Sequence, residues 1–87
     1  MYDIVYTKTA SKDISKLKAA HLDKTVLALL EVIKENPYQN PPPYEKLVGD
    51  LDGALSRRIN RTHRLVYQVY TKENKIKIIS LWSHYER

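Results

Sequence analysis

Between Leu55 and Tyr70 the chain, LSRRINRTHRLVYQVY, repeats with the period of a β-strand. Leu55, Arg57 and Ile59 alternate with Ser56 and Arg58. Past a short polar stretch, Leu65, Tyr67 and Val69 alternate with Val66, Gln68 and Tyr70. Period two, built from leucine, isoleucine, valine and tyrosine, fits a pleated and half-buried surface. The segment therefore reads as a β-hairpin. A turn at Asn60-Arg61-Thr62 sets Ile59 opposite His63 and Arg58 opposite Arg64. A slip of one residue breaks that pairing, and the pattern alone leaves the register open. Like charges facing each other across a ladder are unfavourable, so the paired arginines point to an anion between them.

Charge singles out the same stretch. From Ala54 to Lys72 there is no acidic residue, while Arg57, Arg58, Arg61, Arg64 and Lys72 carry +5. The rest of the chain holds ten basic and ten acidic side chains, so the whole formal charge of +5 sits here. A guanidinium stays charged at any relevant pH and pairs with phosphate or carboxylate through two parallel N–H groups. Arg57, Arg58, Arg61 and Arg64 are accordingly candidates for phosphate binding. The alternative is a solvated polar face.

The other segments give an α+β order. Tyr2–Tyr6 is a short strand, with Ile4 on one side and Asp3 and Val5 on the other. Thr7 or Thr9 offers a helix N-cap. Ala10, Ile14 and Leu17 then recur at helical spacing to about Ala19, and Leu22, Val26, Leu29, Leu30 and Ile33 continue the apolar stripe to about Glu35. His21 falls at the break between the two helices, an exposed position in an αα-hairpin. Asn36-Pro37 stops the second helix.

Pro37–Leu47 contains all four prolines, three of them consecutive at Pro41-Pro42-Pro43. The run predicts a stiff, extended, polyproline-like lead-in that delivers Glu45 to the body of the protein. A plain connector with an exposed glutamate is the competing reading. Turns at Leu51-Asp52-Gly53 and Lys72-Glu73-Asn74 flank the hairpin. Lys75–Trp82 is a last strand, whose two apolar faces place it inside the sheet. The expected fold is one sheet, made of an antiparallel three-strand meander joined by the N-terminal strand, with both helices on one face. The other face is left for a partner or substrate.

Eighty-seven residues make one small domain, 1–87. There is no cysteine, which excludes disulfides, thiolate nucleophiles and cysteine-based zinc sites. No apolar run reaches membrane-spanning length, and Met1-Tyr2-Asp3 opens on a strand pattern without a signal-peptide layout. A cytoplasmic protein without membrane contact is expected. Three dispersed histidines without HxxxH spacing give little support for a metal site, and neither a metal nor another cofactor is expected.

A carboxylate, paired arginines and His84 near the C-terminus make a set suited to RNA cleavage. A base removes the 2′-hydroxyl proton, cations stabilise the developing phosphorane, and an acid protonates the leaving 5′-oxygen. Glu45 can be the base, Arg58 and Arg64 the cations, and His84 the acid.

The combination Glu45-x-Leu47, Leu51-x-Gly53, Ser56-Arg57-Arg58-Ile59, His63-Arg64-Leu65-Val66-Tyr67 and His84-Tyr85 resembles the YoeB/Txe branch of the RelE-like bacterial toxins. The order and spacing fit over residues 45–85, and the N-terminal layout agrees. The resemblance implies the toxin of a type II toxin–antitoxin pair, a ribosome-dependent mRNA endonuclease that cuts in the A site by metal-independent acid–base chemistry. It implies Glu45 as base, His84 as acid, Arg64 as the transition-state cation with Arg58 beside it, and Tyr85 as a residue that positions or stacks on a base. Many relatives carry a lysine where this chain has Val48, and Lys46 is the nearest cation for that role. The implied partners are a YefM/Axe-like antitoxin, the 70S ribosome with mRNA in its A site, and ribosomal RNA. A homodimer is left open. The alternative is a non-catalytic RelE-like module whose arginine face only binds RNA or an antitoxin.

Overall fold

The computed structural model describes residues 1–83. The strands are β1 (Asp3–Tyr6), β2 (Glu45–Lys46), β3 (Leu55–Arg58), β4 (Arg64–Tyr70) and β5 (Lys75–Ser83), and the helices are α1 (Lys8–Ala19) and α2 (Asp23–Glu35). The sheet order is β1-β5-β4-β3-β2. β3, β4 and β5 form the expected antiparallel meander, and β1 joins β5 in parallel. The expected sheet lacked one strand. The two-residue β2 pairs with β3, Glu45 opposite Ser56 and Lys46 opposite Leu55, and so adds a fifth strand at the edge.

Helix α1 starts where Thr7 supplies its cap. The Thr7 hydroxyl accepts from the Ala10 N–H at 3.0 Å and donates to the Ile79 carbonyl at 2.7 Å, so one side chain both begins the helix and ties it to β5. The helix ends at a left-handed His21 (φ 60°), after which Leu22 N–H bonds the Leu17 carbonyl at 2.8 Å. This six-to-one closure usually uses glycine in the left-handed position. His21 fills it here and is exposed between the helices.

The helices bury Ala10, Leu17, Val26, Leu29, Leu30 and Ile33 against Leu55, Ile59, Leu65, Tyr67, Ile76, Ile78 and Leu81 of the sheet. Each such leucine or isoleucine contributes about 1.5–3 kcal/mol through removal from water. Buried polar residues join this layer, Asp13 and Arg57 among them. Asp13 is 4% exposed and accepts from the Leu81 N–H at 2.9 Å. The amide it satisfies lies on the stretch of β5 where the ladder with β4 is irregular. Tyr67 pairs with Ile78, but Val66 pairs with Ser80, and Arg64 with Ser83. The extra β5 residues carry the inward positions from Ile76 and Ile78 to Leu81.

The sheet face away from the helices is not wholly open, as the sequence suggested. The turn that follows β2 folds over its middle, where Leu47, Ala54 and Val66 are buried with Leu51 and Ile79 beside them. What remains uncovered on this face lies toward the β3–β4 turn.

Candidate active site

The β3–β4 turn sets the site. The Asn60 side-chain oxygen accepts from the N–H groups of Thr62 (2.9 Å) and His63 (2.7 Å), a local closure that asparagine readily makes. Ile59 N–H bonds the His63 carbonyl at 2.9 Å. The register that follows puts Arg58 opposite Arg64 and Ser56 opposite Val66. Ser56 in turn faces Glu45 of β2. Cross-strand partners share a face, so Glu45, Ser56, Arg58 and Arg64 all lie on the side away from the helices.

These four residues, with Pro43 and Tyr44, line one open hollow of about 310 Å³. Glu45 and Arg58 are exposed, Arg64 is half-buried and Ser56 is 3% exposed. Arg64 Nη1 reaches the Asn60 carbonyl at 3.4 Å. Among the described residues no carboxylate stands within ion-pair distance of Arg58 or Arg64. Two cations and one carboxylate thus border the same space without neutralising one another. A phosphodiester lying between the arginines would meet positive charge on one side and a proton acceptor on the other.

Arg57, the immediate neighbour of Arg58, is not part of this set, and the expectation of phosphate binding is corrected for it. Its side chain points to the helix layer with Leu55 and Ile59 and is 1% exposed. Nε donates to the Tyr67 hydroxyl at 2.9 Å, Nη1 to the Pro42 carbonyl, and Nη2 to the carbonyls of Gln39 (2.8 Å) and Pro37 (3.1 Å). The Tyr67 hydroxyl donates to the Pro37 carbonyl at 2.7 Å. The guanidinium carbon stands 5.0 Å from the centre of the Tyr44 ring and 6.0 Å from that of Tyr67. Carbonyl dipoles and ring faces take the place of a counter-ion. Burial raises the Tyr67 pKa above its ordinary 10.0, while the hydrogen bond and charge of Arg57 pull it the other way.

The same contacts correct the lead-in. Three backbone carbonyls between Pro37 and Pro42 converge on one guanidinium, and the Asn40-Pro41 and Pro41-Pro42 peptide bonds are cis. The segment wraps around Arg57 rather than running straight, and it is this wrap that leads to Glu45.

The remaining candidates separate. Arg61 is exposed in the hairpin turn and does not border the hollow. Lys46 alternates with Glu45 and so faces the other way, lining a second hollow of about 410 Å³ with Tyr38, Val48 and Asp52. It is not brought to Glu45, Arg58 and Arg64. His84 and Tyr85 lie outside the described residues. Ser56 and Tyr44 were not among the candidates. Period two along β3 already implied that Ser56 accompanies Arg58, whereas nothing in the sequence marked Tyr44. Among the described residues no cluster of histidine and carboxylate side chains could hold a metal ion, and no helix is long and apolar enough to cross a membrane.

A family model described as a YoeB-like toxin of bacterial type II toxin–antitoxin systems matches residues 5–85. Toxin YoeB of Synechocystis sp. is 38% identical over 64 residues, which is 74% of this chain and 72% of the relative. Among solved structures, the YoeB/ParE toxin from Agrobacterium tumefaciens superposes with a TM-score of 0.86 at 28% identity, covering 95% of this chain and 99% of its own. A chain of the heterotetrameric YoeB–YefM toxin–antitoxin complex from Staphylococcus aureus gives 0.80 at 35% identity, covering 98% and 99%. Matched from its first strand to its last and over most of each relative's length, this protein belongs to the YoeB-like toxins of bacterial type II toxin–antitoxin systems.

Proposed function

We propose that this toxin is an endoribonuclease that cuts messenger RNA in the ribosomal A site by acid–base chemistry without a metal. Glu45 takes the proton of the 2′-hydroxyl. The 2′-oxygen attacks phosphorus, and Arg64 and Arg58 stabilise the charge that builds on the equatorial oxygens. The bond to the 5′-oxygen breaks, and His84 gives that oxygen its proton. The products are a 2′,3′-cyclic phosphate and a 5′-hydroxyl. Tyr85 positions the nucleotide beside the scissile bond, and the exposed Arg61 meets the backbone further along.

The observation that carries this reading is the single hollow shared by Glu45, Arg58 and Arg64. A module that only bound RNA would need the two cations and have no use for a carboxylate among them, because a carboxylate repels phosphate. Confinement of the protein's net charge to Ala54–Lys72 adds the long-range attraction that a ribosome-bound substrate requires. We also propose a YefM-like antitoxin as the natural inhibitor, with acidic side chains laid toward Arg58 and Arg64.

The test is single-turnover cleavage of a message on programmed ribosomes, with product ends identified. Wild type should leave 2′,3′-cyclic phosphate termini. Glu45→Gln and His84→Ala should each lose about 10²–10⁴ in rate, the range for a positioned acid or base, while keeping the wild-type fold. Cleavage by either variant within a few-fold of wild type would remove that residue's assigned role. Binding without cleavage by wild type would leave the non-catalytic module as the better account.

A further inference from the structure

We infer that the buried Arg57–Tyr67 pair is the device that positions Glu45 for catalysis, an inference that rests on the role proposed for Glu45.

Strand β2 cannot hold itself in place. It has two residues, Glu45 and Lys46, both exposed, at the edge of the sheet. Strands that stand on their own ladder usually have at least three. Yet a general base must be fixed to within a fraction of an ångström of its proton, and a misplacement of about 1 Å can cost on the order of 10² in rate. Something besides the ladder has to supply that fixity.

Arg57 supplies it from both sides of Glu45. Upstream in the chain, it binds the carbonyls of Pro37, Gln39 and Pro42, the last of which is three residues before Glu45. Its guanidinium carbon also stands over the ring of Tyr44, the residue next to Glu45, 5.0 Å from the centroid. Across the sheet, Glu45 pairs with Ser56, the residue next to Arg57. Tyr67 locks the arrangement, because its hydroxyl accepts from Arg57 Nε and donates to the Pro37 carbonyl that Arg57 Nη2 also binds. Tyr67 is itself fixed in the core strand β4 and is fully buried. Downstream, Leu47 is buried beside Ala54 and Val66 and its N–H bonds the Ala54 carbonyl at 2.9 Å; upstream, the path from the rigid core to the carboxylate runs through one guanidinium. Arg57 does not touch the hollow; it acts through Glu45 and is a positioning residue.

The informative variant is Tyr67→Phe, which removes one hydroxyl and keeps the ring. Arg57→Lys, which keeps the charge and loses the fork, is its companion. Should Arg57→Lys prove too unstable to assay, Tyr67→Phe decides alone. Two readouts are taken on the full chain at a temperature where circular dichroism shows it folded. The first is hydrogen exchange at the Glu45–Leu47 amides, which reports how firmly β2 is held whatever the chemistry. The second is the single-turnover rate at saturating toxin, measured with Glu45 intact and in a Glu45→Gln background.

The expected result is faster exchange at β2, ribosome affinity within about twofold of wild type, and a rate loss of roughly tenfold or more. That loss should vanish once Glu45 is already glutamine, because a misplaced base costs nothing when no base is present. The inference is overturned if Tyr67→Phe cleaves within twofold of wild type. It is equally overturned if β2 exchange is unchanged, or if the rate loss persists undiminished in the Glu45→Gln background. A Glu45→Gln variant that cleaves normally would instead refute the role of Glu45, which is a separate failure that the exchange readout does not share.

Discussion

Arg57 and Arg58 are consecutive in the chain and have opposite roles. The pleat sends Arg57 into the helix layer, where it is 1% exposed and its hydrogen-bond partners are neutral oxygens. The same pleat sends Arg58 to the far face, where it is exposed and stands opposite Arg64 at the edge of the hollow. One guanidinium is consumed by the structure, while the other has no carboxylate at ion-pair distance among the described residues. A basic segment is therefore not one electrostatic object. Its charge divides according to which side of a strand each residue occupies.

The sharpest way to break this comparison is to truncate the buried member. Arg57→Ala removes four hydrogen bonds, takes this donor from the carbonyls of Gln39 and Pro42 and from the Tyr67 hydroxyl, and leaves the space of a fully buried side chain empty. Each such loss costs about 1–3 kcal/mol, so a fall of about 4 kcal/mol or more is expected, a large share of the roughly 5–15 kcal/mol that holds a small domain together. Denaturant unfolding measures it, and a change below about 1 kcal/mol would show that the carbonyl cage contributes little.

Tyr67→Phe should cost less, about 1–3 kcal/mol, by leaving Arg57 Nε and part of the Pro37 carbonyl's hydrogen bonding unmet. It also carries a pH signature. The Tyr67 pKa is raised above 10.0 in the folded protein. Below pH 10 the phenol is neutral in both folded and unfolded chains, and its contribution is complete. Above pH 10 the unfolded chain ionises first, so stability falls as pH rises toward the folded value. The slope from this one group is at most about 1.4 kcal/mol per pH unit. Wild type should lose stability more steeply than Tyr67→Phe in alkaline denaturation, and parallel curves would contradict the assignment.

The smallest effect belongs to the exposed arginine. Arg58→Ala should leave stability within about 0.5 kcal/mol, or raise it slightly by relieving the repulsion from Arg64. In ribosome binding it should lower the slope of log K against log salt by about 0.7, the share of one phosphate contact on a single strand. A variant that unfolded like Arg57→Ala would erase the distinction between the two residues.

The hairpin and its turn at Asn60 were legible in the sequence because period two and a polar turn are local signals, whereas the Arg58–Arg64 pairing was one of the registers the pattern allowed and is the one the fold adopts. The fate of Arg57 was half legible. The alternation grouped it with Leu55 and Ile59, both buried, but its charge argued for the surface, and the charge reading was wrong. What reversed it is non-local: three carbonyls of the Pro37–Pro42 segment and the Tyr67 hydroxyl, none of which has a signature in a string of residue types. Strand β2 escaped notice because a two-residue strand has no period. Asp13 looked like any polar residue of a lysine-rich helix, since its partner is a backbone N–H that only the β5 irregularity exposes. The helices were legible through the Thr7 cap, the Asn36-Pro37 stop and the apolar stripe. The convergence of Glu45 with Arg58 and Arg64 was reached through resemblance and chemical role, since the chain between Glu45 and Arg58 carries no local signal of where β2 would dock.

On the proposed reading, the far face of the hairpin carries the cleavage chemistry, while the near face holds the fold and positions Glu45. Arg64→Ala tests it most directly, through two numbers from one preparation: the single-turnover cleavage rate on programmed ribosomes and the midpoint of denaturant unfolding. Arg64 lines the hollow, and among the described residues its side chain reaches the Asn60 carbonyl at a long 3.4 Å. The account predicts a rate loss of about 10²–10³, the size of a lost transition-state donor, with stability shifted by less than about 1 kcal/mol. Cleavage within a few-fold of wild type, or a rate loss matched by a collapse of stability, would contradict it.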